Sequence, residues 1–504
     1  MSGSDTLCRF IDISESEERG MGTDTTRENS WDFGLDSAIP DLGDSGDVEI
    51  SSIDFSDTYY DTEDRDLLAH GTIVVHSDGG DSDGGDEDQH AGWRVTTPSA
   101  GEDITEQIDA PSTAVPSAIA DALWGLSGGK PLRVAAIVHT HRTRHRHLDA
   151  NGEVAYDVVD DTVSATATGP VATATSWREV GVRAGSGSTT IPKSVRKRMV
   201  GAGARPASAS STFERAVGHE APRRAVSVSP AAVAVADYVR EQISTIFAGD
   251  VALRRGANPV HAVRVAIRRL RSTLRTAAPL FEPDGLAGLD DELRWFAGVL
   301  GEVRDREVLR ARFASAVAEL PDELVLGPVA ARIEEELSAQ QHHHRQSVTD
   351  EMRSDRYLVL LSTLATWNDS IPLADDQITK KELRRIATRA ARKADKRLAH
   401  ALATGHEEDL HRARKAAKRA RYAGELAAPV VARSTGRGQA KRYKRIQTVL
   451  GEHQDAAVAA RTLRELGAGA GTRKGENGFT YGILYQRELA AAAAARDAVL
   501  SGTN

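Results

Sequence analysis

The sequence predicts an α+β multidomain fold: an antiparallel, β-barrel-like domain in the N-terminal half and an all-α domain in the C-terminal half. Three observations carry this. Short β-type runs separated by turn markers fill residues 48–183. From about residue 231 the apolar residues switch to helical spacing, with abundant Ala, Leu, Arg and Glu. The helical half also repeats itself at a fixed offset. At 504 residues the chain is too long for one core, so two or more domains are expected.

Taken in order, residues 1–47 are rich in Ser, Gly, Asp and Glu with little periodicity and are expected to be a disordered acidic segment. Strands are expected at 72–76, 93–96, 133–140, 153–159, 162–167 and 177–182, with one helix near 116–126 and a closing helical pair at 192–199 and 211–217. This gives a β domain over 48–218. Residues 219–230, with two prolines and small residues, read as a linker. The helical domain follows over 231–501, with its copies at about 231–370 and 380–501.

The repeat is specific. Residues 260–271 (VHAVRVAIRRLR) recur as 410–421 (LHRARKAAKRAR), and 300–305 (LGEVRD) recur as 450–455 (LGEHQD), both at an offset of 150. His261 thereby pairs with His411, Arg264 with Arg414, Arg268 with Lys418, Arg269 with Arg419, Arg271 with Arg421 and Arg294 with Lys444. At about 100° per residue, His261, Arg264, Arg268 and Arg271 fall within roughly 80° of one another. Val260, Val263, Ile267, Leu270 and Leu274 form the adjacent core-facing stripe. The basic groups thus border the buried face and are expected to line a semi-enclosed cavity. Gly301 permits close approach on the partner helix, and Asp305, like Asp455, is placed to orient a basic side chain.

Charge points the same way. Residues 1–100 hold 25 Asp and Glu against 5 Lys and Arg, whereas residues 380–450 hold 21 Lys and Arg against 6 Asp and Glu. Arg forks, Lys point charges and protonated His are all donors suited to phosphate oxygens. Cations stacked on a helix repel one another unless a counter-charge joins them, and a polyanion supplies that charge at regular intervals. Histidine titration near neutrality is expected to weaken such binding as pH rises. The single Cys8 excludes an internal disulfide framework and suits a reducing compartment. With neither a signal peptide nor a membrane span in view, a cytoplasmic location is expected.

The paired motifs resemble the CHAD family, over about residues 231–495. The resemblance implies a pair of four-helix bundles around a basic cavity that binds inorganic polyphosphate, often with targeting to polyphosphate granules, and no catalysis. The expected polyphosphate site comprises His261, Arg264, Arg268, Arg269, Arg271 and Arg294 from one copy. His411, Arg414, Lys415, Lys418, Arg419, Arg421 and Lys444 come from the other, with Asp305 and Asp455 orienting them.

The N-terminal half resembles a CYTH domain, a triphosphate tunnel. The resemblance rests on 58–62 (TYYDT), 92–98 (GWRVTTP), Asp160, Asp161 and 176–180 (SWREV). The Glu-x-Glu-x-Lys opening of active members is missing before Tyr59, the strand at 71–76 has no Arg, and the strand after Glu179 has no later carboxylate. Metal-dependent triphosphate hydrolysis needs carboxylates and cations together, so a degenerate tunnel without cofactor or metal is expected. Arg142, Arg144 and Arg146 alternate along one strand and are expected on one face. His139, His141, His145 and His147 interleave with them, and His342, His343 and His344 cannot share one helical face, so neither set is expected to hold a metal. The alternatives are a metal-dependent triphosphatase or polyphosphatase in the N-terminal half, and a nucleic-acid-binding module. The second is disfavoured because only Tyr422 and Tyr443 accompany the basic stripes.

Overall fold

The computed structural model describes residues 29–501 apart from 41, 43–46, 80–90, 99–103, 109, 111, 150, 170, 186–190, 192, 208–210, 219–227 and 473–474. Most of the expected acidic tail and linker, and the Gly/Asp tract at 80–88, lie outside the described residues.

Nine strands make one antiparallel sheet: β1 (Ser30–Phe33), β2 (Val48–Asp61), β3 (Ile73–Ser77), β4 (Gly92–Thr97), β5 (Ile104–Ile108), β6 (Arg133–Leu148), β7 (Val154–Ala167), β8 (Thr173–Ala184) and β9 (Arg205–Pro206). The order is β5-β4-β3-β2-β6-β7-β8-β1-β9. β1 falls inside the segment read as an acidic tail; Trp31 and Phe33 are buried, which anchors it against β8. The two runs expected at 153–159 and 162–167 are one strand, β7. Asp160 and Asp161 interrupt its apolar pattern because each takes an Arg from a neighbouring strand, Arg178 and Arg142.

The sheet is open, which corrects the expected barrel-like closure. Closure requires the edge strands to share a ladder, and β9 at one edge has only two residues. One sheet face is instead filled by a helix. The short helices of this half are α1 (Asp66–Ala69), α2 (Ser117–Ala122), α3 (Lys193–Gly201) and α4 (Thr212–Ala216). Phe213 of α4 stacks on Tyr59 at 4.9 Å, in a core with Val138, Val163 and Trp177. Ser211 caps α4 by accepting from the Glu214 amide at 3.1 Å.

The C-terminal half is helical: α5 (Pro230–Arg254), α6 (Val260–Thr276), α7 (Pro283–Leu286), α8 (Leu289–Ala318), α9 (Val329–Glu351), α10 (Asp355–Asp369), α11 (Lys380–Thr404), α12 (Glu407–Ala427), α13 (Gln439–Ala470) and α14 (Phe479–Ser501). Ser229 starts α5, accepting from the Ala232 amide at 3.1 Å with Pro230 in the first turn. A capping box starts α11: Glu382 donates its amide to the Thr379 hydroxyl at 3.2 Å, and the Thr379 amide donates back to the Glu382 carboxylate at 2.7 Å. No helix among the described residues is long and apolar enough to cross a membrane.

The two copies are visible as α5, α6, α8, α9 and α11, α12, α13, α14, but the cores do not divide by copy. At one end Leu309, Phe313, Ile333 and Leu337 of the first copy pack with Ala459, Leu463 and Leu484 of the second. At the other end Val235, Val239 and Phe247 of α5 share a continuous core with Tyr60, Val74 and Trp93 of the sheet domain. His70 packs against Phe247 with ring centroids 4.1 Å apart, and burial pushes its imidazole down to about 4. Phe247→Ala is expected to cost about 3–5 kcal/mol. Because the core is shared, sheet and helices should still melt in one transition by circular dichroism and calorimetry; two separated transitions in the wild-type chain would contradict the shared core.

Candidate functional site

α6 and α12, the two helices that carry the repeated motif, lie against one another between the copies. Each buries an apolar stripe, Val260, Val263, Ile267, Leu270 and Leu274 in α6 and Leu410, Ala413, Ala417 and Ala420 in α12. Their basic stripes therefore meet at the seam.

Arg264 reaches α8, where it donates to the Ala297 carbonyl at 3.3 Å and lies 3.7 Å from Asp305. A Cβ at Gly301 would overlap the Arg264 guanidinium, so this glycine makes room for a cation. The second copy repeats the arrangement: Arg414 lies 3.7 Å from Asp455, and a Cβ at Gly451 would sit 3.4 Å from its guanidinium. Lys418 stands between the copies. Burial, then Arg414 and Arg268, then Arg264, hold its ammonium down to about 7, with Asp455 opposing. Arg268 likewise acts across the seam on Arg414, whose pKa burial lowers first. Arg264, Arg268, Arg414 and Lys418, from both copies, thus stand half-buried together at the seam, opposed by Asp305, Asp455 and Glu302. The Nε atoms of Arg268 and Arg414 are buried and have no hydrogen-bond partner.

The histidines flank this cluster. Burial, then Arg304, Arg268 and Arg264, lower the pKa of His261; burial, then Lys415, lower that of His411, which also bonds Gln454. Both imidazoles are thus pushed below their ordinary value, and the group held near 7 is the Lys418 ammonium. Arg304, ion-paired with Glu307 at 3.0 Å, is a cation the sequence reasoning missed, although it occupies the same repeated position as Gln454.

The remaining candidates divide differently. Arg269 and Arg421 both bind Glu425, at 3.1 and 2.8 Å, so one carboxylate ties α6 to α12. Arg271 binds Asp290 at 3.1 Å, and Arg275 binds the same carboxylate. These arginines hold helices together and are not gathered around Lys418. Arg419 faces Arg275, Arg397 and Arg271 beside Asp290, with burial as the largest influence lowering its pKa. Arg294 pairs with Asp291 at 3.1 Å on the surface, and Lys415 and Lys444 are exposed. Tyr422 and Tyr443 are both buried, at 2% and 1% exposure, and offer no face for a stacked base.

In the sheet, Arg142, Arg144 and Arg146 do alternate on one face, but carboxylates from β7 meet them there. Arg142 grips Asp161 at 2.7 and 2.8 Å, Arg144 reaches Asp157 at 2.7 Å, and Arg146 lies 3.6 Å from Asp157. Glu179 is 4.0 Å from Arg215, which also pairs with Asp32. His141 bonds Asp54 at 2.8 Å, and His147 stacks on Tyr156 at 4.4 Å. Among the described residues no three His, Cys, Asp or Glu side chains are grouped to hold a metal.

A duplicated helical domain with a cationic seam between its copies defines the class of protein. Residues 237–464 match the model of the CHAD domain, so the helical half of the chain is a CHAD domain. It is 30% identical over 460 residues to Uncharacterized protein Rv2226 of Mycobacterium tuberculosis (strain ATCC 25618 / H37Rv), covering 85% of each chain. Uncharacterized protein MT2285 of strain CDC 1551 / Oshkosh matches with the same identity and coverage. That match is longer than the helical half, so it takes in part of the sheet domain. Among solved structures it is similar to PptA from Streptomyces chartreusis (22% identity, 54% of this chain and 98% of that one, TM-score 0.45). It is also similar to the CHAD domain from the plant Ricinus communis (27%, 57% and 98%, TM-score 0.43).

The cluster carries a sign that is measurable. Below pH 7 Lys418 is charged in both folded and unfolded chains, so the penalty for holding its ammonium among arginines is fully present. Between 7 and its ordinary 10.5 the unfolded chain binds more protons, and stability should rise with pH over that window. A heteronuclear NMR titration should place the Lys418 midpoint near 7 and move it upward in Arg268→Gln; a wild-type midpoint near 10.5 would contradict the cluster.

Proposed function

We propose that the helical domain binds inorganic polyphosphate in the seam between its copies, and that this affinity associates the protein with polyphosphate granules. The observation that supports this most is the convergence of Arg264, Arg268, Arg414 and Lys418 at one half-buried place on the seam, where Asp305, Asp455 and Glu302 oppose them. A cation cluster of this kind is unfavourable in the empty protein, and a polyanion relieves it. The unpartnered Nε atoms of Arg268 and Arg414 are donors waiting for an acceptor. In this reading Asp305 and Asp455 orient Arg264 and Arg414. His261 and His411, whose charged form burial and the neighbouring cations disfavour, offer N–H donors at the rim.

Chain chemistry favours phosphate over nucleic acid. The seam is cationic, and the nearby aromatics are buried rather than presented for stacking. Arg268→Ala/Lys418→Ala should lower polyphosphate affinity at least about tenfold, roughly 1.4 kcal/mol, at unchanged or higher thermal stability, because it relieves like-charge repulsion. Unchanged affinity by calorimetric titration contradicts the site. Single-stranded DNA at matched salt should compete poorly for the wild-type protein, and effective competition would favour the nucleic-acid reading.

The sheet domain fits a second, narrower reading: an open CYTH-like domain that does not hydrolyse triphosphate. In support, the arginines that would grip phosphate hold Asp157 and Asp161 instead. A triphosphate would have to break these half-buried charge-assisted pairs to enter. No phosphate release from tripolyphosphate with Mg²⁺ or Mn²⁺ is expected; release that disappears in Arg142→Ala would overturn this.

A further inference from the structure

α5 and α11 occupy the same place in the two copies, each directly ahead of a histidine-bearing helix, yet their surfaces differ. α5 has two Arg and three carboxylates, and it is covered by the sheet domain and its own bundle. α11 has nine Lys and Arg against two carboxylates. Both carboxylates are engaged: Glu382 in the capping box, and Asp395 by Arg442 and the Tyr443 hydroxyl, each at 2.8 Å. Leu383, Ala387, Ala394, Leu398 and Ala401 form its buried stripe. On the opposite side stand Lys381, Arg385, Arg389, Arg392 and Lys396, all exposed, and none is in an ion pair among the described residues.

Spacing makes this side a track. Steps of four, four, three and four residues keep the five cations on one face, over about 22 Å at 1.5 Å per residue. A solvated helix ordinarily mixes signs, because Glu and Lys four residues apart stabilise it and like charges at that spacing repel. Here the repulsive arrangement runs from Lys381 to Lys396, well over half of the helix. The track lies one helix from the seam: α11 packs on α12, the helix that carries Arg414 and Lys418, with Leu398 and Ala401 against Leu410 and Ala413.

We propose that the outer face of α11 is a second contact surface for polyanion, engaged by the same polyphosphate chain that enters the seam. This rests on the polyphosphate reading of the seam and deepens it. The seam holds a short stretch of phosphates, and α11 takes the chain that extends beyond, so affinity grows with chain length. Each neutralised phosphate releases counterions, which makes the added affinity salt-dependent.

The test uses the full chain carrying Arg385→Gln/Arg389→Gln/Arg392→Gln/Lys396→Gln, since glutamine keeps helix propensity. Affinities are measured for tripolyphosphate, long-chain polyphosphate and long single-stranded DNA at several salt concentrations. Long-chain affinity should fall at least about tenfold, with the slope of log K against log salt shallower by about 3, at roughly 0.7 for each of the four contacts removed. Tripolyphosphate affinity should be unchanged. Equal losses for both phosphate ligands, or no loss for the long one, overturn the proposal. Tighter binding of DNA than of polyphosphate, lost in the same variant, overturns it in favour of a nucleic-acid surface. Arg268→Ala/Lys418→Ala, run in parallel, should weaken both phosphate ligands. If it weakens neither while the α11 variant loses the long chain, the seam reading fails and with it the claim that one chain engages both.

Discussion

Like-charge repulsion between the two copies is the constraint around which the helical domain is arranged. Arg264, Arg268, Arg414 and Lys418 are brought together half-buried at the seam, where charges are poorly screened, with Asp305, Asp455 and Glu302 opposing them. Left to themselves, α6 and α12 would separate at this point. Apolar stripes beneath the cations and carboxylate clamps beyond them hold the helices in place. Glu425 takes Arg269 and Arg421 together, and Asp290 takes Arg271 and Arg275. The long helices α8 and α13 fasten the copies again through a shared core at their far ends. The protein keeps its repulsive seam because these other contacts hold it there, which preorganises the donors for a ligand.

The sheet domain shows the opposite electrostatic outcome from similar raw material. Its arginines alternate along β6 as a phosphate grip would, but Asp157 and Asp161 lie on the adjacent strand within reach and satisfy them. Phe213 and Arg215 cover the neighbouring apolar part of that face, against Tyr59 and Trp177. The domain is bound to the helical half by a continuous core through α5, so it is an integral part of the molecule's stability.

Much of this was legible in the sequence, for physical reasons. A 150-residue offset preserved His261, Arg264 and Asp305 beside an apolar helical stripe, and helical period alone placed the cations at the edge of the buried face. What period cannot reveal is which carboxylate another helix brings. Arg264 and Arg271 fall within about 20° of each other around the helix, yet Arg264 faces Asp305 and the seam cluster while Arg271 is taken by Asp290, nineteen residues away. The titration of Lys418 was hidden for the same reason, since it arises from burial and from arginines on both copies. Barrel closure was overestimated because strand patterning reports strands and not their edges; a two-residue β9 leaves no ladder to close. The fused cores escaped notice because a repeat in sequence suggests units that pack separately.

The central claim is that the two copies form one site, not two. A double-mutant cycle for polyphosphate binding between Arg264 of the first copy and Arg414 of the second tests it most directly, by calorimetric titration of the wild type, Arg264→Gln, Arg414→Gln and the double variant. A single shared site predicts one chain bound per protein and a coupling energy above about 0.5 kcal/mol. Additive losses, with each copy retaining its own stoichiometric site, would contradict it.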